Sequence, residues 1–280
     1  MKAICIRAAV LFLIFLIISA CGGTKNKTLL MATTTSVDDT GLLDFIAPKF
    51  FKDTKIKLKW LSMGTGKALE LGKNCDVDIL LVHNPNAEQK FIKKGYGVDR
   101  VNVMYNDFLL VGPKKDPAHI EGEPSISAFK KIANNKILFI SRGDNSGTYD
   151  KEKELWKETN LTLPSRSRWY LQSGRGMMDT LNMASQLLGY TLTDRGTFIK
   201  FVSVCGKNCP LKVFDQGGAE LKNQYSVMIV NSGRCNNINV KGANKFKNWL
   251  ISKRGQNLIS SFKLLNKKLF IPNETKKGFG

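Results

Sequence analysis

Histidine is nearly missing from this sequence: His83 and His119 are the two in 280 residues. A zinc site wants tetrahedral cysteine and histidine ligands at paired spacing, and neither histidine lies near a cysteine pair. The same scarcity leaves Ser146, in the most suggestive turn of the chain, without an identifiable base to activate it as a nucleophile. Acidic residues are also few, 23 against 43 basic ones, and nothing singles out two of them for glycoside chemistry. Beyond its N-terminus the chain has no apolar run long enough to span a bilayer. These absences exclude a resident metal, a triad hydrolase and a multi-span membrane protein.

The one long apolar run, Ala8 to Ile18, follows Lys2 and Arg7 and leads into Ser19-Ala20-Cys21. A basic start, a short apolar core and a small-residue cleavage site make residues 1–20 a signal peptide. Ile18-Ser19-Ala20-Cys21 resembles a bacterial lipobox, which implies cleavage before Cys21, lipid on Cys21 and a tether over 21–27. An uncleaved anchor is the alternative. Either way the remainder is exported to the periplasm or cell surface and held to the membrane. The net charge is +20, but the lysines are scattered, as at Lys52, Lys55, Lys57 and Lys59, with no interleaved aromatic stripe for nucleic acid. Such a balance is compatible with steering small anions. Besides Cys21, the exported part carries Cys75, Cys205, Cys209 and Cys235, an even set that favours two disulfides with three possible pairings. Cys205 and Cys209 are close enough to clip a loop on itself, which would leave Cys75 with Cys235.

Strand and helix signals alternate along the rest. Strands are expected over Leu29 to Ala32, Ile56 to Leu61, Ile79 to Val82, Asn106 to Pro113, Ile137 to Ile140 and Tyr225 to Val230. Helices are expected over Thr40 to Phe51, Lys67 to Lys73, from Lys151, over Met177 to Leu188, Ala243 to Ile251 and Gly255 to Leu264. Repeated strand–helix units argue for an α/β fold with ligands at the carboxyl ends of strands.

Three strand-to-helix turns share one chemistry. Ser141-Arg142-Gly143-Asp144-Asn145-Ser146-Gly147-Thr148 joins an arginine to hydroxyls and glycine at a helix mouth, where free N–H groups and the helix dipole favour an anion. The plainer reading of this turn is an N-cap by Ser146 or Thr148 with Arg142 in solvent. Thr33-Thr34-Thr35-Ser36 puts four hydroxyls before the first helix, more than one cap requires. Ser62-Met63-Gly64-Thr65-Gly66-Lys67 again ends a strand and opens a helix, with glycines that let the backbone approach a ligand. Lys67 lacks the spacing of a P-loop. Three such termini can converge on one anion. Thr193-Asp194-Arg195 reads as a helix cap that braces a hinge, with Thr197 beside it, and His83 as a residue that packs or hydrogen-bonds at the end of its strand.

These segments, with Asp78 to His83, Asn106-Asp107-Phe108 and Tyr190 to Thr197, occur in an order that resembles the tungstate-binding proteins of bacterial ABC importers, the TupA family. The resemblance spans nearly the whole exported chain. It implies a type II periplasmic-binding-protein fold: two α/β lobes with two sheets flanked by helices, joined by two crossovers and closing on an oxyanion. The crossovers would lie near Phe108 to Pro113 and Gln224 to Val230, giving a discontinuous lobe I (28–110 and 225–280) and an inserted lobe II (111–224). Ligand contacts would be Thr35, Ser36, Ser62, Gly64, Thr65, Arg142, Ser146, Gly147 and Thr148. Arg175 stands where a smaller or amide residue is expected, as a second cationic contact or an exposed side chain. No cofactor is implied, and the partners would be an ABC permease and its ATPase subunit, with the chain itself a monomer.

The identity of the oxyanion turns on Asp144. Arg142-x-Asp144-x-Ser146-Gly147-Thr148 also resembles phosphate-binding proteins, and hydrogen phosphate carries a proton that needs a carboxylate acceptor. A deprotonated tungstate, molybdate or sulfate would be repelled by one. If Asp144 points into the cleft, phosphate gains ground; if it caps a turn, tungstate stands. Molybdate, nearly equal in size to tungstate, is not separable by residue type. A sensor with the same fold and no transport role is the alternative from another class.

Overall fold

The structure is a computed structural model and describes residues 27–216 and 218–273. The signal peptide, Cys21 and most of the tether lie outside the described residues. In chain order the strands are β1 (Thr28–Thr34), β2 (Lys57–Met63), β3 (Ile79–Val82), β4 (Gly97–Pro113), β5 (Phe139–Ser141), β6 (Tyr170–Gln172), β7 (Thr191–Asp194), β8 (Leu211–Gln216) and β9 (Lys222–Val230). Short strands β10 (Lys263–Leu264), β11 (Lys267–Lys268) and β12 (Ile271–Pro272) follow. The helices are α1 (Thr35–Asp38), α2 (Leu42–Thr54), α3 (Thr65–Lys73), α4 (Pro85–Lys93), α5 (Ser125–Asn134), α6 (Gly147–Glu158), α7 (Met177–Leu187), α8 (Arg195–Cys205), α9 (Val240–Ile251) and α10 (Lys253–Ser261).

Strand order β12-β4-β9-β3-β1-β2 makes one sheet. Its β1, β2 and β3 are parallel, and β9 joins β3 antiparallel. The long β4 belongs to two sheets. From Gly97 to Asp107 it pairs with β9, and from Phe108 onward it pairs with β7 on one edge and β8 on the other. The parallel β5 and β6 extend this second sheet through the bridge from Phe139 to Tyr190. The chain returns to the first sheet at Lys222, opposite Asp107.

Side-chain alternation explains why each sheet buries both faces. Ile79 and Leu81 of β3 join Val227 and Ile229 in one core with Leu43, Phe50 and Phe246. Leu80 and Val82 point the other way and meet Ala68, Phe91, Met228 and Val230. A four-residue strand that is apolar at every position suits a sheet covered by helices on both sides. In the second sheet Phe108 and Leu110 face the Phe129, Phe139 and Trp156 core, while Leu109 and Val111 face Met177, Leu181 and Phe198.

Several sequence-based boundaries move. The helix expected over Thr40 to Phe51 is α2, which starts at Leu42 after Gly41 at φ +80°; the short α1 before it went unread, and Thr40 Oγ1 donates to Val37 O at 2.6 Å between the two. The helix expected from Lys151 begins at Gly147. Cys75 and Cys235 form a disulfide. The Cys205–Cys209 clip does not form: Gly206 ends α8 at φ +73°, and Cys209 turns into the core against Phe201 and Leu211. The two thiols remain hydrogen-bonding neighbours, with Cys205 raised by burial and by Cys209.

Candidate oxyanion site

Parallel strands carry their following helices to one edge, so the N-termini of α1, α3, α4 and α6 open at the carboxyl ends of β1, β2, β3 and β5. The first-turn N–H groups of a helix lack intrahelical partners, so these edges present donors. Thr34 to Ser36 ends β1 and begins α1. Thr34 Oγ1 and Ser36 Oγ lie 3.0 Å apart, and both residues are buried. Thr35 is half-buried. Thr33 belongs to the scaffold, since its hydroxyl donates to Leu81 O at 2.8 Å.

The turns from the two sheets meet closely. A side chain on Gly64 would sit 3.2 Å from Asn145 O, and one on Gly66 3.4 Å from the same atom. The two turns therefore pack closely here: a Cβ at residue 64 would press on the Asn145 carbonyl, and one at residue 66 would reach ordinary van der Waals contact with it. Thr65, next to Gly64, and Thr148, in the first turn of α6, are each 1% exposed, and neither hydroxyl has a hydrogen-bond partner. A buried hydroxyl left unpaired costs about 1–3 kcal/mol, so two of them at one seam call for an explanation.

Arg142 is also buried. Its Nε donates to Asp144 Oδ2 at 2.9 Å, the one protein acceptor recorded for this guanidinium among the described residues. Asp144 Oδ1 accepts from Ser146 Oγ at 2.5 Å, and Ser146 Oγ in turn accepts from Tyr149 N at 3.2 Å. Ser146 is therefore the N-cap of α6, as the plainer reading held, and its hydrogen is committed to Asp144. Asp144 does not cap a backbone turn; both its oxygens are engaged by side chains of its own loop. Behind the loop, Glu152 is fully buried and accepts from Ser141 Oγ at 2.8 Å, Tyr170 Oη at 2.5 Å and Trp156 Nε1 at 3.2 Å. Burial pushes its carboxyl up to about 7 against the pull of these donors.

His83 hydrogen-bonds and packs at the end of β3, as the sequence suggested, beside the first turns of α1 and α6. Its Nδ1 is 2.8 Å from Asn223 Oδ1 and its Nε2 3.0 Å from Ser36 Oγ. Burial pushes the imidazole down to about 4, so it is neutral near pH 7. A carboxamide oxygen only accepts, so the network assigns the hydrogen to Nδ1 and the lone pair to Nε2. Ser36 Oγ then donates to His83 Nε2. On the lobe II side, a Cβ on Gly147 would lie 2.9 Å from His83 Cε1, so α6 begins directly on the ring. Asn223 Nδ2 continues the chain to Asn106 Oδ1 at 2.8 Å, across the register pair of β4 and β9.

Two expected residues lie apart from this cluster. Ser62 is half-buried on β2 opposite Thr33, outside the hydrogen-bonded set. Arg175 is exposed and lines a cavity of about 570 Å³ at the mouth, with Lys67, Gly64 and Asp144. At the crossing, Asp194 caps α8 through Thr197 N at 2.9 Å. Arg195 donates to Asp107 Oδ2 at 2.7 Å and Gln216 Oε1 at 3.0 Å, bracing both crossing segments as the sequence suggested. Asn106 carried a signal, since it falls in the Asn106-Asp107-Phe108 segment; Asn223 carried none.

Two lobes, a strand shared between their sheets and donor-rich helix ends facing across a cleft define a periplasmic binding protein. A family model, the PBP superfamily domain, matches residues 21–254. The tungstate-binding protein TupA of Campylobacter jejuni is 44% identical over 236 residues, covering 84% of this chain and 87% of that one. TupA of Peptoclostridium acidaminophilum is 43% identical over 254 residues, covering 89% and 87%. A solved structure of TupA from Desulfovibrio alaskensis G20 is 50% identical with a TM-score of 0.81, covering 88% of this chain and 99% of that one. The chain belongs to the TupA family within the PBP superfamily, a family of solute-binding transport components rather than enzymes.

Proposed function

We propose that this chain is the exported solute-binding component of an ABC importer and captures tungstate between its lobes. The observation that carries the reading is the pair of buried, unpartnered hydroxyls of Thr65 and Thr148, one from each lobe, beside a buried Arg142. An oxyanion there would satisfy both hydroxyls, take charge compensation from Arg142 and accept from the first-turn N–H groups of α1, α3 and α6. Thr35, Ser36, Gly64 and Gly147 would contribute through backbone. Ser146 would act through Asp144 and the cap, and Ser62 and Arg175 would flank the site. Each charge-assisted hydrogen bond contributes roughly 1.5–3 kcal/mol. A handful of them supports about nanomolar affinity, near −12 kcal/mol, after association and closure costs.

Asp144 takes one side-chain donor on each oxygen, from Arg142 and Ser146, and the preference for tungstate over hydrogen phosphate is supported by the TupA relatives. Molybdate is the remaining competitor of the same shape. Lobe I takes residues 28–107 and 222–273 and lobe II the stretch between, the crossings falling where β4 changes partners and where the chain re-enters the first sheet as β9. Cleavage before Cys21, lipid on that residue and delivery to a permease with its ATPase complete the reading. Titration calorimetry of the soluble form, starting after Cys21, against tungstate, molybdate, sulfate and phosphate tests it. Tight tungstate binding, silence toward phosphate and loss of binding in Arg142→Ala are expected. Tight phosphate binding, or silence toward all four by ligand-free protein, would overturn it.

A further inference from the structure

A second set of contacts joins the lobes away from the hydroxyl cluster. α4 and α6 open at the carboxyl ends of β3 and β5, so they face each other across the cleft. Asn84 caps α4: its Oδ1 accepts from Ala87 N at 3.0 Å, and its backbone N–H donates to Glu88 Oε1 at 2.7 Å. With the side chain fixed in this way, Nδ2 crosses the cleft and donates to Asp150 Oδ2 at 2.5 Å. Asn86 Nδ2 does the same to Glu154 Oε1 at 2.7 Å. Asp150 and Glu154 lie one turn apart on α6, and each divides its oxygens. Asp150 Oδ1 and Glu154 Oε2 take Lys153 and Lys151 of their own helix, each at 2.7 Å, which leaves the other oxygen for lobe I. A cavity of about 220 Å³ at this seam is lined by all four residues.

We propose that Asn84 and Asn86, with Asp150 and Glu154, form a ligand-independent clasp that sets the closed population and thereby the affinity for the oxyanion. The inference rests on the tungstate reading only for the choice of ligand. In a two-lobe binder the apparent affinity is the intrinsic affinity multiplied by the fraction of molecules in the binding-competent form. Contacts made only when the lobes meet raise that fraction without touching the ligand. An amide donating to a carboxylate is stronger than a neutral pair, yet it adds no charge to the lobe I side of the cleft.

The perturbation is Asn84→Asp with Asn86→Asp. Aspartate caps a helix as well as asparagine, and acids suit the first turn, so α4 is retained while four carboxylates confront one another. Tungstate binding measured by calorimetry should weaken by about 10- to 100-fold with unchanged stoichiometry and faster dissociation. Small-angle scattering of the ligand-free variant should show a more open molecule than the wild type. Adding Asp150→Asn and Glu154→Gln reverses the polarity of both hydrogen bonds and should restore affinity to within about threefold. Wild-type affinity and scattering in the double variant, or failure of the fourfold variant to recover, would overturn the clasp. If the wild type binds no oxyanion the tungstate reading fails, and the scattering comparison still decides the clasp.

Discussion

Two buried groups flanking the anion turn should pull the stability of this protein in opposite directions with pH. Glu152 holds its proton more tightly folded than unfolded: its carboxyl is pushed up to about 7 from an ordinary 4.5, with burial as the cause. The folded state binds more protons across that interval, so the contribution of Glu152 is fully present below about 4.5 and is lost as pH rises to about 7. At about 1.36 kcal/mol per pH unit the loss is roughly 3 kcal/mol. His83 behaves in the reverse sense, being pushed down to about 4 from 6.5, again by burial. Its contribution is present above 6.5 and lost as pH falls toward 4, also by roughly 3 kcal/mol. Over their shared window the two slopes nearly cancel, and each single variant should expose the other. Urea denaturation of the wild type, Glu152→Gln and His83→Gln at half-unit steps from pH 4 to 8 measures this. Relative to wild type, Glu152→Gln should gain roughly 3 kcal/mol between pH 4.5 and 7, and His83→Gln should lose a similar amount between pH 4 and 6.5. Every other titrating group drops out of these differences. A Glu152→Gln difference that stays flat with pH would refute the burial argument.

Thr65→Val and Thr148→Val should each raise the stability of ligand-free protein by about 1 kcal/mol, because each removes a buried hydroxyl that lacks a partner. The same variants should bind tungstate at least about tenfold more weakly in calorimetry. Gly147→Ala places a methyl 2.9 Å from His83 Cε1; it should weaken tungstate binding, and His83→Ala in the same chain should recover part of the loss by making room. Cys75→Ala opens a bridge between residues 160 apart in sequence and should cost about 4 kcal/mol in denaturant unfolding, with no change in binding stoichiometry.

Local sequence determined the chemistry of the turns. Four hydroxyls after a strand, glycines on either side of Thr65 and an arginine near Ser146 and Thr148 are legible because helix N-termini need donors and caps within a few residues. Short, largely apolar runs likewise revealed β3 and the Tyr225 to Val230 part of β9. Elements whose apolar pattern was weak, such as α4 and β8, went unread.

Tertiary structure decided what no local pattern carries. The partners of His83 are tertiary: Asn223, 140 positions away, fixes its tautomer, and Ser36 donates to its lone pair. Ser146 caps α6, and Asp144 folds back to take its hydrogen. Cys205 and Cys209 stay unbridged although they are neighbours, with Cys209 buried in the core. The clasp exists only because two helices that share no local sequence signal open on the same cleft. Spacing along the chain fixes which donors a turn can offer; which of them remain free depends on partners brought near by folding.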